Sequence, residues 1–230
     1  MAGAMVKING EDGEFAAYVA EPSGAPKGAI VVIQEIFGVN AVMRGVCDWL
    51  ASEGFVAASP DLFWRIEPGI ELTDQSQAEW DRAFELYNAF NVDKGVEDIQ
   101  ATINFIRDSN PKVGAVGYCL GGLLAYLTST RTDVDASVGY YGVGIDAHVG
   151  EAGDRKNPLM LHIAEEDGFV SKDAQAKIAE TLTGDGVSLH SYPGRDHAFA
   201  REGGDHYDAE DAKLANGRTV EFFASQLKGG

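Results

Sequence analysis

Residues Lys112–Ser129 read KVGAVGYCLGGLLAYLTS, and the fold turns on how that stretch is parsed. An apolar run, Val113–Val116, meets Gly117-Tyr118-Cys119-Leu120-Gly121-Gly122 and then resumes as a helical stretch. Glycines two before and two after a central residue match the sharp strand-to-helix turn called a nucleophile elbow. Its tip usually carries serine; here it carries Cys119. Amides at a helix start can hold an oxyanion, and the dipole there favours a thiolate. A short glycine pattern is a weak signal alone, so its meaning depends on the flanking elements.

Upstream, VKINGEDGEFAAYVA predicts a hairpin, with Val6 and Ile8, an Asn-Gly turn, then Phe15, Ala17 and Val19 alternating. AIVVIQEIFGVN begins as a continuous apolar run, the pattern of a central strand covered on both faces. Asn40 is a predicted N-cap, with Met43, Val46, Cys47 and Leu50 at helical spacing and Gly54 as the stop. Cys47 falls on that buried stripe and reads as a small core hydrophobe. FVAASPDL is the next strand, and Phe63–Thr73 has no period and reads as a surface loop. SQAEW offers a Ser-x-x-Glu capping box, behind which Trp80, Phe84 and Tyr87 share one helix face as core or pocket wall. A further helix carries Val96, Ile99, Ile103 and Ile106 up to Pro111.

Downstream come strand ASVGYYG, a loop through Pro158, strand LMLHIAEED and a helix from about Ser171. Strand VSLHSYP precedes the loop GRDHAFAR, and a last helix sets Val220, Phe223 and Leu227 in step. Strands alternating with helices after an antiparallel start predict an α/β protein with a doubly wound, mostly parallel sheet. No repeat or linker divides the chain, so residues 1–230 are expected to form a single domain.

With 45% hydrophobic and 23% charged residues, the composition is that of a globular protein. A formal charge of −18 argues against nucleic acid or anionic membrane as partners and makes any anionic substrate depend on a local cation. The apolar runs are strand-sized and the amino end has no signal-peptide core, so a cytoplasmic location is expected. Two distant cysteines make no disulfide framework, and no Cys/His grouping has zinc spacing.

Cys119 gains meaning from two residues further along the chain. Asp167 lies just past a predicted strand, where an acid could orient an imidazole, and His197 sits in a glycine-containing loop after the next strand. Nucleophile, acid, histidine is the chain order of the α/β-hydrolases. Glu165 and Glu166 compete with Asp167, but the Asp-x-x-Val spacing into the next helix favours Asp167. His162 and His190 lie inside predicted strands, and His148 and His206 lie in loops with no strand end to place them.

QEIFGVN, SPDL, GYCLGG, GYYGVG and DHAFAR, in this order and spacing, resemble the dienelactone hydrolase family, also called carboxymethylenebutenolidases. The resemblance implies a monomeric, cytosolic, cofactor-free α/β-hydrolase that opens a lactone conjugated to double bonds. It implies Cys119 as nucleophile, His197 as base and Asp167 as its orienting partner. Glu35 matches a carboxylate that pairs with the cysteine and takes its proton, and the amides of Ile36 and Leu120 match the oxyanion hole. Glu35 also has a plainer reading, as a residue closing a strand and capping the next turn. Candidate substrate contacts are Arg201, Trp80, Phe84, Phe37 and Tyr118.

The family holds its substrate's carboxylate between two arginines. Arg201 matches one of them; Trp80 stands at the other, and Phe84 at a family tyrosine. Arg82 is two positions along the helix from Trp80, roughly 200° around the axis, so it is not expected to substitute. A buried arginine–carboxylate pair contributes on the order of 2–3 kcal/mol, so its loss predicts a shift toward larger or more apolar lactones and activated esters. The residue type points the same way. A thiolate is itself a good leaving group, so cysteine suits an enol lactone that releases a stabilised enolate. The expected activity is therefore cysteine-dependent opening of an activated lactone or ester through a thioester. The competing reading is a hydrolase-fold protein that binds a small molecule or partner without turnover.

Overall fold

The computed structural model describes residues 3–228. Eight strands form one sheet: β1 (Ala4–Asn9), β2 (Glu14–Ala20), β3 (Ala29–Ile33), β4 (Val56–Pro60), β5 (Val113–Tyr118), β6 (Ala136–Tyr140), β7 (Leu159–Ala164) and β8 (Val187–Tyr192). Their order is β1-β2-β4-β3-β5-β6-β7-β8. β2 runs antiparallel to both its neighbours, β1 and β4, and the remaining neighbours are parallel. The predicted hairpin is present, but its connection is longer than a two-residue Asn-Gly turn. Asn9 pairs with Glu14, and Gly10 N–H donates to the Gly13 carbonyl across a four-residue loop.

Helices cover both faces. α1 (Ala41–Ser52) and α7 (Ala209–Gln226) lie on one face, packing Met43, Cys47, Leu50 and Phe223 against Ile30, Val32, Val116 and Tyr118. α2 (Gln77–Ala89), α3 (Val92–Arg107), α4 (Leu120–Arg131), α5 (Ile145–His148) and α6 (Lys172–Thr181) lie on the other, packing Leu86, Ile99, Ile103, Leu124 and Ile178 against Val31, Ile33 and Ala115. Alternate residues of β3 thus enter opposite cores, which is why that strand is apolar throughout. Cys47 is fully buried in the first core, and that burial drives its thiol pKa up.

Helix starts follow local side-chain chemistry. Asn40 accepts from Met43 N at 3.1 Å, Asn91 from Lys94 N at 3.1 Å, and Asp208 from Asp211 N at 3.0 Å. Ser76 accepts from Glu79 N at 3.3 Å, and the Glu79 carboxylate folds back onto Ser76 Oγ and Thr73. Each such cap stabilises a helix by about 1 kcal/mol. α4 begins without one: its N-cap is Cys119, whose side chain makes no capping bond.

Two segments depart from the sequence reading. Between β6 and Pro158, where a loop is expected, the chain winds into α5 and then a 3₁₀ turn, Val149–Asp154, tucking Ile145 and Val149 into the core. Phe63–Thr73 has no helix or strand, yet it does not simply run over the surface. Phe63 and Ile70 are buried, and the Asp61 carboxylate ties the segment by accepting from Phe63 N (3.1 Å) and Gly69 N (2.8 Å).

Candidate active site

Cys119 occupies the turn from β5 into α4, with φ 57° and ψ −116°, a left-handed conformation that non-glycine residues rarely adopt. Such a residue carries about 1–3 kcal/mol of strain, held in place by its surroundings. The flanking glycines explain how. A Cβ on Gly117 would lie 1.8 Å from the Gly121 carbonyl oxygen, and one on Gly121 would lie 2.4 Å from that of Ile33. The strand and helix cross too closely for any side chain at either position. Two further non-glycine residues have positive φ among the described residues, Tyr141 and Ala198, and both adjoin the same site.

The Asp167 and His197 side chains meet between the β7–α6 and β8–α7 loops. His197 Nδ1 lies 2.9 Å from Asp167 Oδ2 and 3.1 Å from Oδ1, and both residues are buried. Phe169 N donates to Asp167 Oδ1 at 2.8 Å, fixing the carboxylate. Glu165 and Glu166 are placed elsewhere: Glu166 pairs with Lys172 at 3.0 Å. With Nδ1 engaged, His197 has Nε2 left for the cleft, which it lines together with Cys119. The Cys119 sulfur lies near enough to the imidazole to act on it through its charge and a side-chain contact. Burial pushes the His197 pKa down, but the Cys119 sulfur and the Asp167 carboxylate outweigh it and raise the value to about 10.

The other histidines have structural places, and His190 stacks on His162 with ring centroids 5.7 Å apart. His162 is buried between Tyr192 Oη (2.8 Å) and Thr219 Oγ1 (3.1 Å). His206 Nδ1 lies 3.0 Å from the His197 carbonyl and braces its loop, and His148 sits beside Glu151.

The cleft encloses about 450 Å³, open mouth included, and is mostly aromatic. Phe37, Trp80, Phe84 and Tyr87 form one wall. The Trp80 ring stacks on Phe84, centroids 5.7 Å apart, and meets Phe37 edge-on at 5.1 Å. Phe84 and Phe169 remain 40% and 52% exposed at the rim, so apolar surface faces anything entering. Tyr87, read from the sequence as core or pocket wall, lines the cleft, and so do Val143 and Phe169, which the sequence did not single out. Tyr87 falls on the same helical stripe as Trp80 and Phe84; the other two come from loops.

Tyr118 corrects an expectation: it does not line the cleft. Period-two alternation along β5 sends it with Val116 to the opposite face, where it is buried and stacks on Tyr140 at 4.7 Å. Glu35 is also absent from the cleft wall. It lies buried behind the site, its Oε2 3.3 Å from Arg201 Nε but without an aligned hydrogen bond on either carboxylate oxygen. Among the described residues the charge partner of Glu35 is Arg201. Neither the Ile36 nor the Leu120 amide has an acceptor among the described residues.

Arg201 lines the cleft and is itself nearly buried. Its Nη1 donates to Asp74 Oδ2 at 2.9 Å, and its guanidinium carbon sits 5.1 Å from the Phe37 ring centroid. Burial would lower its pKa, but Glu35, Tyr141 and Asp74 around it raise the value instead. Arg82 points away, pairing with Glu67 and Glu85 at the surface. Among the described residues no group of three or more His, Cys, Asp or Glu is placed to hold a metal ion, and no helix is long and apolar enough to cross a membrane.

A mostly parallel eight-stranded sheet, a strained strand-to-helix elbow after its fifth strand, and an acid and histidine on the following strand ends define an α/β-hydrolase. Comparison with known proteins narrows the class. The sequence profile of the dienelactone hydrolase family matches residues 15–227, and the chain belongs to that family. It is 50% identical over 224 residues to a protein of Azospirillum brasilense provisionally named a carboxymethylenebutenolidase, spanning 95% of this chain and 96% of that one. It is 40% identical over 224 residues to the carboxymethylenebutenolidase of Pseudomonas putida, spanning 95% of each. The fold superposes with a TM-score of 0.85 on a protein of Klebsiella pneumoniae subsp. pneumoniae provisionally named a dienelactone hydrolase, at 24% identity over 96% of this chain and 98% of that one. The protein is a lactone or ester hydrolase.

Proposed function

We propose that the protein opens activated lactones or esters through a thioester on Cys119. The reading rests on one observation above all: Asp167 engages His197 Nδ1, leaving Nε2 for the cleft that the Cys119 thiol lines. The Cys119 thiolate attacks the acyl carbon, forming an S–C bond while the oxyanion is held by the Ile36 amide just past β3 and the Leu120 amide at the α4 start. The C–O bond to the leaving oxygen then breaks. An enolate leaves readily, so the thiolate is not expelled in its place, and the enolate takes the proton carried by the His197 imidazolium to become the enol or ketone, leaving the ring neutral. Water then attacks the thioester, His197 takes its proton, and the Cys119 thiolate departs.

The aromatic wall of Phe37, Trp80 and Phe84 supports a preference for larger or more apolar acyl groups over small dianionic lactones. Glu35, buried with no aligned donor, supports a role in the resting state, since unsatisfied buried acceptors destabilise by about 1–3 kcal/mol and persist where function uses them.

The test is a panel of aryl esters, thioesters and lactones run against Cys119→Ala, Cys119→Ser and His197→Ala, with circular dichroism confirming the fold. Loss of turnover in Cys119→Ala and His197→Ala, with a trapped acyl mass on wild-type Cys119, is the expected result. Undiminished hydrolysis by Cys119→Ala, or stoichiometric labelling of Cys119 with no turnover on any member, overturns the reading.

A further inference from the structure

Arg201 is a buried cation whose charge is already met within the chain. Nε faces Glu35 Oε2 at 3.3 Å, and Nη1 donates to Asp74 Oδ2 at 2.9 Å. Asp74 belongs to the loop entering α2 and is held there from two sides. Its Oδ1 accepts from Gln75 Nε2 at 2.6 Å, and its carbonyl accepts from Trp80 Nε1 at 3.0 Å. The indole that forms the aromatic wall therefore also fixes the backbone that delivers the carboxylate. One guanidinium between two carboxylates gives a trio with a net charge of −1, so the cleft offers an anion no uncompensated positive charge at this point.

We infer that Asp74 is a specificity-determining residue: it occupies the anion-binding face of Arg201 in cis and sets the cleft against substrates that carry a carboxylate near the scissile bond. This deepens the acyl-hydrolase reading above and rests on it for the identity of the substrate. An incoming carboxylate must break a charge-assisted hydrogen bond before making an equivalent one, so the exchange returns little. Asp74 also competes as a tethered ligand, at an effective concentration that a dissolved substrate at millimolar level does not exceed. Removing its charge leaves Arg201 with at most a neutral acceptor that a carboxylate readily displaces, in a poorly solvated wall where a charge-assisted contact changes affinity by about ten- to a hundredfold.

The experiment compares p-nitrophenyl hexanoate with mono-p-nitrophenyl adipate, the neutral ester serving as internal reference, on wild type, Asp74→Asn and Asp74→Glu. In Asp74→Asn the ratio of kcat/KM for the anionic over the neutral ester is expected to rise about ten- to a hundredfold, mostly through KM. Asp74→Glu, which keeps the charge, is expected to stay within about threefold of wild type by the same reasoning. A second arm needs no turnover: calorimetric binding of benzoate to Cys119→Ser with and without Asp74→Asn, where the same tightening is expected. A ratio and a benzoate affinity both unchanged in Asp74→Asn, or a rise in Asp74→Glu equal to that in Asp74→Asn, overturns the assignment. If wild type cleaves neither ester, the hydrolytic reading fails while the benzoate arm still decides this one. Should Asp74→Asn not fold, Asp74→Ser goes through the same measurements.

Discussion

Both oxygens of Asp167 lie against the Nδ1 edge of His197, at 2.9 and 3.1 Å, in a site from which water is largely excluded. That pairing fixes which ring nitrogen is left for the thiol, and it opposes the tendency of burial to keep the imidazole neutral. A carboxylate on one side and a sulfur on the other make the protonated ring the favoured form well above the ordinary histidine range, up to about 10.

His197 is therefore expected to remain protonated through pH 8 in the wild-type protein, as read from its ring resonances in a histidine-selective NMR titration. Replacing Cys119 by Ser removes one raising contribution and leaves burial, which lowers, and Asp167. The titration should move down in Cys119→Ser, and down again in Cys119→Ser/Asp167→Asn. A midpoint unmoved by both changes would show that the imidazole is held by something other than these partners.

The elbow makes a sharp demand on side-chain size. A Cβ at Gly121 would meet the Ile33 and Gln34 carbonyl oxygens at 2.4 and 2.6 Å, and backbone cannot swing aside as a side chain can. Gly121→Ala should destabilise by about 3 kcal/mol or more, or fail to fold. Gly45 in α1 and Gly217 in α7 are exposed, with nothing within 4 Å of the position a Cβ would take. There, alanine should stabilise by about 0.5–1 kcal/mol each through helix propensity. Thermal and denaturant unfolding of the three variants separates these outcomes by sign.

Trp80 combines two contacts, ring stacking on Phe84 and an indole N–H to the Asp74 carbonyl. An aromatic acyl or leaving group gains from the ring, and Trp80→Ala should raise KM for naphthyl esters about three- to tenfold relative to a small aliphatic thioester. Trp80→Phe keeps a ring without the donor and should recover most of that difference. Equal KM changes on both substrates would mean that the wall shapes the site without touching the substrate's ring.

The parts of the site legible in the sequence are those fixed by short-range rules. Gly117 and Gly121 flank Cys119 because strand and helix touch there, and the order Cys119, Asp167, His197 follows from strand ends that local apolar runs announce. Asn40 and Ser76 cap helices through bonds to residues three positions on. The inward face of Tyr118 is legible too, once alternation is carried two residues past Val116. Asp74 is not. Its partner Arg201 lies 127 positions away, and both sit on loops whose paths no periodicity encodes. Val143 and Phe169 reach the cleft in the same way. The winding of Ile145–Asp154 is equally hidden, because an uncapped four-residue helix running into a 3₁₀ turn leaves too little pattern to see.

On the far side of the sheet, His162 supplies a separate pH dependence. It is enclosed by Tyr192, Thr219 and Tyr140, and beyond them by His190 and the Arg218 guanidinium near Tyr192. Burial first, then the His190 and Arg218 charges, pull its pKa well below the ordinary value, so the folded protein keeps it neutral while the unfolded chain protonates it near pH 6.5. Below that pH the unfolded state binds the extra proton, and stability must fall as pH falls, by about 1.4 kcal/mol per pH unit from this residue. His197 is charged in the folded state throughout, and in the unfolded chain it charges through about pH 6.5, so its opposing contribution is small and fades as pH falls toward 5. His190 adds in the same direction but is more exposed, so its share is smaller. Urea denaturation between pH 6.5 and 5 should show this loss in wild type and a shallower slope in His162→Gln. Parallel slopes in the two proteins would mean that His162 takes up its proton in the folded state after all.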